Sequence, residues 1–449
     1  EFPLRRGDIL RHQLYEAAKQ NLRAQAIDLG YLDAEFTTRV IRVSRQQRRA
    51  DIELVLATGP RYQFGEATIE GAPDYPRRFL RRFLSFAPGD VFTYPQLGQT
   101  QLNFIDSDRF REVVILPRIE AAQNLQVPVE VQLVPSLPKR LRPGIGYGTD
   151  TGARLSLNYR DLNVLRRGHE FEAEILASEL KQSLGVAYIV PSYRNLESQT
   201  AYRLGYDRED IDVFDRQTLF AEVERSRTFG EDRRGSVYLR LLQEDFTIGE
   251  EDSTSRLILP GLRFSQRRYP DLVRPESGYS FNVETRGTHQ VLGSDTGLLQ
   301  LIVSGNVLVP LPGRFSLFIR GQSGTTWQNE PLREIPVSLR FFAGGDRSIR
   351  GYGYQRVGVE DDNGDVVGGR NLLVGSVEVE RALSEKWGAA IFYDVGDAFN
   401  SFDNIDWRHG AGVGARWYTP VGPLKFDVAR RMQTADSGWR LHVSVGFGW

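Results

Sequence analysis

The sequence predicts a mainly β protein: a C-terminal 16-stranded transmembrane β-barrel preceded by N-terminal α/β domains. Three observations predict it. From Lys139 onward, runs of about ten residues alternate apolar and polar with period two between turn residues. The composition is rich in turn and girdle residues, with 44 Gly, 25 Phe, 18 Tyr and 6 Trp. Before Lys139, a helix-and-strand unit occurs twice.

The same composition excludes several classes. A net charge of −1 offers no basic field for nucleic acid. The mean hydropathy is −0.38, and no run approaches the roughly 18 apolar residues of a membrane-spanning helix. The absence of cysteine excludes disulfides, thiolate metal sites and a cysteine nucleophile. His12, His169, His289, His409 and His442 are scattered without metal-ligand spacing. There is no Gly-x-Ser-x-Gly elbow and no phosphate-cradling loop. No catalytic residue, metal or cofactor is expected. The opening Glu1-Phe2-Pro3-Leu4-Arg5-Arg6 has no apolar signal core, which fits a mature or shortened chain.

The first unit, residues 1–59, begins with a helical pattern from Asp8 to Leu29. Leu10, Leu14, Ala17, Ala18 and Leu22 share one face, and Gly30 closes the helix. Strands follow over 36–43 and 50–56. The second unit, 60–137, reads strand (62–70), helix (75–86), helix (94–105), strand (110–119), strand (127–134). The first unit therefore lacks the opening strand of the second. A small sheet with an exposed edge can accept an extended chain as an added strand. The plain alternative is a pair of spacers.

Residues 138–449 carry about sixteen alternating runs, eleven before a long loop and five after it. Val237, Leu239 and Leu241 alternate with Ser236, Arg240 and, less cleanly, Leu242. The last run is the cleanest, with Trp439, Leu441, Val443, Val445, Phe447 and Trp449 on one face. So many strands exceed an ordinary sandwich, and closure into a barrel removes exposed edges. Closure pairs the first strand with the last. The first holds Pro143, Gly144, Gly146, Tyr147 and Gly148; the last holds Val445, Gly446, Phe447, Gly448 and Trp449. Proline cannot donate to a ladder and glycine weakens a strand, so a weak seam is expected there. Alternatively, the glycines relieve crowding in the lumen.

The long loop, 328–369, contains Gly344-Gly345-Asp346-Arg347-Ser348-Ile349-Arg350-Gly351-Tyr352-Gly353-Tyr354. Loops of this length are commonly functional or disordered. It leads into a hairpin whose polar face carries Ser376, Glu378 and Glu380, then Phe392, Asp394 and Gly396. Two lumen-facing carboxylates favour a cation, and Arg makes the bidentate contact best. Arg350 is therefore expected to fold into the lumen and clamp Asp394, with Glu378 nearby. The competing expectation is that both carboxylates simply face water.

Two resemblances cover nearly the whole chain. The unit carrying Gly30-Tyr31, and again Phe64-Gly65 leading to Gly71, resembles the POTRA (polypeptide-transport-associated) domain. Ile349-Arg350-Gly351-Tyr352 resembles the lumen-loop signature of the outer-membrane insertase superfamily, which includes BamA, TamA and the two-partner secretion transporters. Phe392-x-Asp394-x-Gly396 resembles its motif on barrel strand 13. The segments 375–378, 386–388 and 394–398 are most similar to the TamA family. The resemblance implies a non-enzymatic bacterial outer-membrane assembly factor with POTRA domains in the periplasm. Its client β-barrel proteins, such as autotransporters, would pass into the lipid bilayer through the lateral seam. Its partner would be a TamB-like periplasm-spanning protein. The alternative is a two-partner secretion transporter exporting a polypeptide through the lumen. TamA has three POTRA domains, whereas this sequence holds one and most of another.

Overall fold

A computed structural model describes residues 3–271, 275–328, 330–419, 422–432 and 438–445. The chain divides into two units. One comprises residues 1–138 with 162–168 and 193–196; the other comprises 139–161, 169–192 and 197–449.

In the first unit, helix α1 (His12–Asp28) precedes an antiparallel hairpin of β1 (Glu35–Ser44) and β2 (Arg49–Ala57). α1 buries Tyr15, Ala18 and Ala26. A three-stranded sheet follows, ordered β3 (Gln63–Glu70), β5 (Gln126–Pro135), β4 (Phe110–Pro117). β5 is central because its alternate residues Val127, Val129, Val131 and Leu133 are all buried. They pack against an aromatic core that includes Phe64, Phe79, Phe83, Phe92, Phe104 and Phe110. Helix α3 (Tyr94–Ile105) is capped by the Thr93 side chain, which accepts from Gln96 N. The helix expected over 75–86 is shorter: α2 spans only Arg77–Arg81. Beyond it, Phe83 and Phe86 enter the core through turns. Ser85 N donates to Thr100 Oγ1 at 3.0 Å, fixing that irregular path. Tertiary burial here overrides helical spacing.

The second unit is one antiparallel sheet of sixteen strands in sequence order, from β6 (Lys139–Gly148) to β21 (Trp439–Val445). Eleven precede the long loop and five follow it, because β16 (Phe315–Gln328) ends and β17 (Asn371–Ala382) begins on either side. The sheet forms a nearly closed barrel. Its outer face carries exposed apolar side chains: Val237, Leu239 and Leu241 on β12 (Arg233–Ile248) point outward, whereas Tyr238 and Leu242 are buried. The inner face is polar over much of its area. There Glu222 accepts from Arg203, Arg240 and Arg263 at 2.7–3.2 Å.

The irregular position Leu242 has a physical reason. It faces inward and packs with Leu257, Leu259 and Leu298 against Ile335 and Leu339 of the long loop. Phe214, Phe246 and Ile248 receive Val337 in the same way. The first arm of the loop thus occupies the lumen as a hydrophobic plug. Arg340 braces that arm by donating to the carbonyls of Ile335, Val367 and Arg333 at 2.8–3.2 Å. Burial pushes the Arg340 guanidinium pKa down to about 10.

Candidate functional site: the lumen-loop lock and the seam

The second arm of the loop turns at Gly344 and Gly345, whose φ angles of 100° and 101° favour glycine. It delivers Ile349-Arg350-Gly351-Tyr352 to the barrel wall. Ile349 is fully buried with Phe341, Ala343, Val357, Leu372, Val374 and Ala398. That packing sets the loop height. Arg350 then reaches three strands at once: β17, β18 (Trp387–Phe399) and β20 (Gly422–Arg431).

Its guanidinium meets Asp394 with a bidentate fork: Nε donates to Oδ2 at 2.8 Å and Nη2 to Oδ1 at 3.0 Å. Nη1 donates to Glu378 Oε2 at 2.7 Å and to Asp427 Oδ2 at 3.0 Å. Its backbone N–H also donates to Asp394 Oδ2 at 3.0 Å. The guanidinium carbon lies 3.4 Å from the Phe392 ring centre, a stacked cation–π contact. Burial disfavours the Arg350 charge, but the hydrogen bond and charge of Asp394, with Glu378 and Asp427, raise its pKa above the ordinary value. The residues of the strand-13 motif thus do different work. Phe392 is the platform, Asp394 the acceptor, and Gly396 a close approach where a Cβ would collide with the Leu373 carbonyl.

Register explains the geometry. Ser376 lies directly opposite Asp394, and Glu378 opposite Phe392. Ser376 Oγ donates to Asp394 Oδ1 at 2.6 Å and orients the carboxylate.

Sequence reasoning missed half of the lock. On β19 (Arg408–Thr419), Arg416 is fully buried and donates to Glu378 Oε1 at 2.7 Å and Asp427 Oδ1 at 2.5 Å. Three carboxylates therefore share two guanidiniums. Before Arg416 the inward face of β19 presents Gly410, Gly412 and Gly414 in succession. A Cβ at Gly410 would collide with the Arg350 carbonyl, so glycine here makes room for the loop. An inward face of three alternating glycines ending in arginine was the available signal.

Gly351 has φ 98°. Its N–H donates to His442 Nε2 on β21 at 3.0 Å, and its carbonyl accepts from Arg431 Nε at 2.9 Å. The Arg431 guanidinium carbon sits 5.4 Å from the Tyr352 ring centre. The loop tip is thus tied to the last strand as well.

At the seam, Pro143, Gly144, Gly146, Tyr147 and Gly148 lie on β6, which pairs with β7 (Gly152–Val164) on its other side. Val445 ends the described part of β21; Gly446, Phe447, Gly448 and Trp449 lie outside the described residues. Among the described residues no ladder joins β6 to β21. They meet where Thr149 N donates to Val443 O at 3.2 Å and Val443 N to Thr149 Oγ1 at 3.3 Å. Arg154 Nη2 adds a bond to Val445 O at 3.4 Å.

These features define a class: a sixteen-stranded barrel with a membrane-type outer face, its lumen holding its own ion-locked loop, and edge strands that no ladder joins among the described residues. The chain belongs to the Omp85 superfamily, whose domain model matches residues 163–449. It is 21% identical over 415 residues to the outer membrane protein assembly factor BamA of Nitratidesulfovibrio vulgaris, covering 89% of this chain and 52% of that protein. It is 21% identical over 420 residues to BamA of Neorickettsia risticii, covering 86% and 54%. The chain therefore spans about half the length of these curated relatives. Among solved structures, BamA from Haemophilus ducreyi lacking POTRA domains 1–3 superposes with a TM-score of 0.82 at 16% identity, over 99% of this chain and 95% of that one. CdiB from Acinetobacter baumannii superposes with a TM-score of 0.56 at 14% identity, over 97% and 81%.

Proposed function

We propose that this chain is a bacterial outer-membrane assembly factor that inserts client β-barrel proteins into the bilayer through the seam between β6 and β21. One observation carries the reading: among the described residues no ladder joins the two edge strands, so each offers donors and acceptors to an incoming strand. The lumen lock holds the neighbouring strands in register while the edge is free. No site chemistry requires catalysis; strand exchange is driven by the client's own pairing and by burial of its apolar face in lipid.

The finer reading is an insertase of the TamA type, with autotransporters among its clients. The α/β unit before the barrel would be a periplasmic POTRA array over 1–59 and 60–137. Its sheet edge would receive a TamB-like periplasm-spanning partner by strand addition. The likeness to CdiB favours one second reading, a two-partner secretion transporter that passes a polypeptide through the lumen. That route requires the plug to leave.

The test uses the cysteine-free background. Tyr147→Cys and Val445→Cys are introduced together and oxidised, and client insertion into liposomes is measured. The cross-linked protein should lose insertion and regain it on reduction. Full insertion with the seam closed refutes the lateral route. Transfer of a soluble polypeptide across the membrane through that closed barrel establishes the secretion reading instead.

A further inference from the structure

Asp346, on the loop four residues before Arg350, lies between both edges of the seam. On one side its backbone N–H donates to Asp150 Oδ2 at 2.5 Å, and Thr149 Oγ1 donates to its Oδ1 at 3.2 Å. Thr149 and Asp150 form the turn that ends β6. On the other side its Oδ1 meets Nδ1 of His442, which is buried on β21. One carboxylate oxygen each of Asp150 and Asp346 and one ring nitrogen of His442 lie within 4.8 Å of one another. His442 Nε2 accepts from Gly351 N–H, so the neutral ring carries its proton on Nδ1 and donates it to Asp346. With its Nε2 lone pair engaged and its Nδ1 protonated, the ring is set up for hydrogen bonding. Asp150 Oδ1 is buried and has no hydrogen-bond partner.

We propose that Asp150, Asp346 and His442 form a proton-operated latch, which ties the loop to both edge strands and closes the outer end of the seam. Its role in gating clients rests on the lateral-insertion reading above. The titratable and charged groups that face Asp150 include Asp346 on the loop and His442 and Arg440 on β21. Burial, and then the Asp346 charge, push the Asp150 carboxyl up to about 6 in this closed arrangement. Opening the seam exposes it and returns it toward the ordinary value near 4. The closed form therefore binds the proton more tightly. It is favoured below about pH 6 and loses that advantage as pH rises.

The experiment measures the seam directly. Spin labels are placed on cysteines introduced at Ile145 and Leu441, both exposed on the outer face, in the full chain in lipid nanodiscs. Distance distributions are recorded from pH 5 to pH 7.5. The ratio of open to closed seam should rise roughly tenfold over this range. Asp150→Asn, an uncharged mimic of the protonated acid, should stay closed and flat. Asp346→Ala should be open throughout. A flat wild-type profile overturns the latch, as does an Asp150→Asn profile matching wild type, or a seam with no open population at any pH. The cross-linking test is independent of these outcomes. If the oxidised Tyr147–Val445 pair fails to block insertion while the seam still responds to pH, the lateral route falls and the latch stands. The converse result removes the latch alone.

Discussion

Replacing Arg350 by alanine removes five side-chain hydrogen bonds to Asp394, Glu378, Asp427 and Ser376, together with its stacking on Phe392. Arg416 still holds Glu378 and Asp427, but buried Asp394 loses its guanidinium fork. Breaking a buried ion pair from one side costs about 3–5 kcal/mol, because the remaining charge is stranded. Arg350→Ala should sit near the top of that range, about 4–5 kcal/mol. Asp394→Ala should cost less, about 3 kcal/mol, since Arg350 keeps Glu378 and Asp427. In the double variant the second deletion removes the acid that the first had stranded. The double should therefore cost about 5 kcal/mol, leaving a coupling of about 2–3 kcal/mol. Urea unfolding in lipid vesicles, followed by tryptophan fluorescence and checked by heat-modifiable migration, measures all three. Arg350→Lys should recover only part of the loss, because an ammonium cannot make the bidentate fork. Additivity of the two single variants within about 0.5 kcal/mol would refute the lock as an energetic unit.

Two further perturbations test the loop's packing. Gly410→Ala places a methyl against the Arg350 carbonyl and should cost about 1–3 kcal/mol by overpacking, read by the same unfolding assay. Leu339→Ala opens a cavity among Leu242, Leu257, Leu259 and Leu298; it should cost about 2–5 kcal/mol and raise single-barrel conductance in planar bilayers, whereas unchanged conductance would show that the plug does not seal the lumen.

The barrel was readable because a membrane strand must alternate in every turn of the meander, so sixteen runs survive as a pattern in the sequence. Arg350, Glu378 and Asp394 were readable because the loop feeds the hairpin that carries both acids, and hairpin register follows from local spacing. Asp427, Arg416 and His442 were not. They lie 77, 66 and 92 positions from Arg350, on strands whose inward faces look ordinary one at a time. Only the stacking of five strands onto one wall brings them together. Leu242 breaks its run's pattern for the same reason. Period-two reasoning assigns the lumen to polar residues, and a plug of Ile335, Val337 and Leu339 reverses the local preference.

The buried charges give the loop an address rather than strength. A well-packed apolar cluster of the same volume would often be as stable as five ionised groups removed from water. It would not fix the loop to one point, because apolar contacts lack direction. The bidentate fork to Asp394 and the Arg416 bonds to Glu378 and Asp427 admit one placement of the loop tip. That placement puts Gly351 against His442 on the last strand and Asp346 against Asp150 beside the first. A single loop thereby touches both edges of the seam and the wall between them. A perturbation of Arg350 should then be felt at the seam through Asp346 and His442, even though the Arg350 side chain bonds to neither edge strand among the described residues.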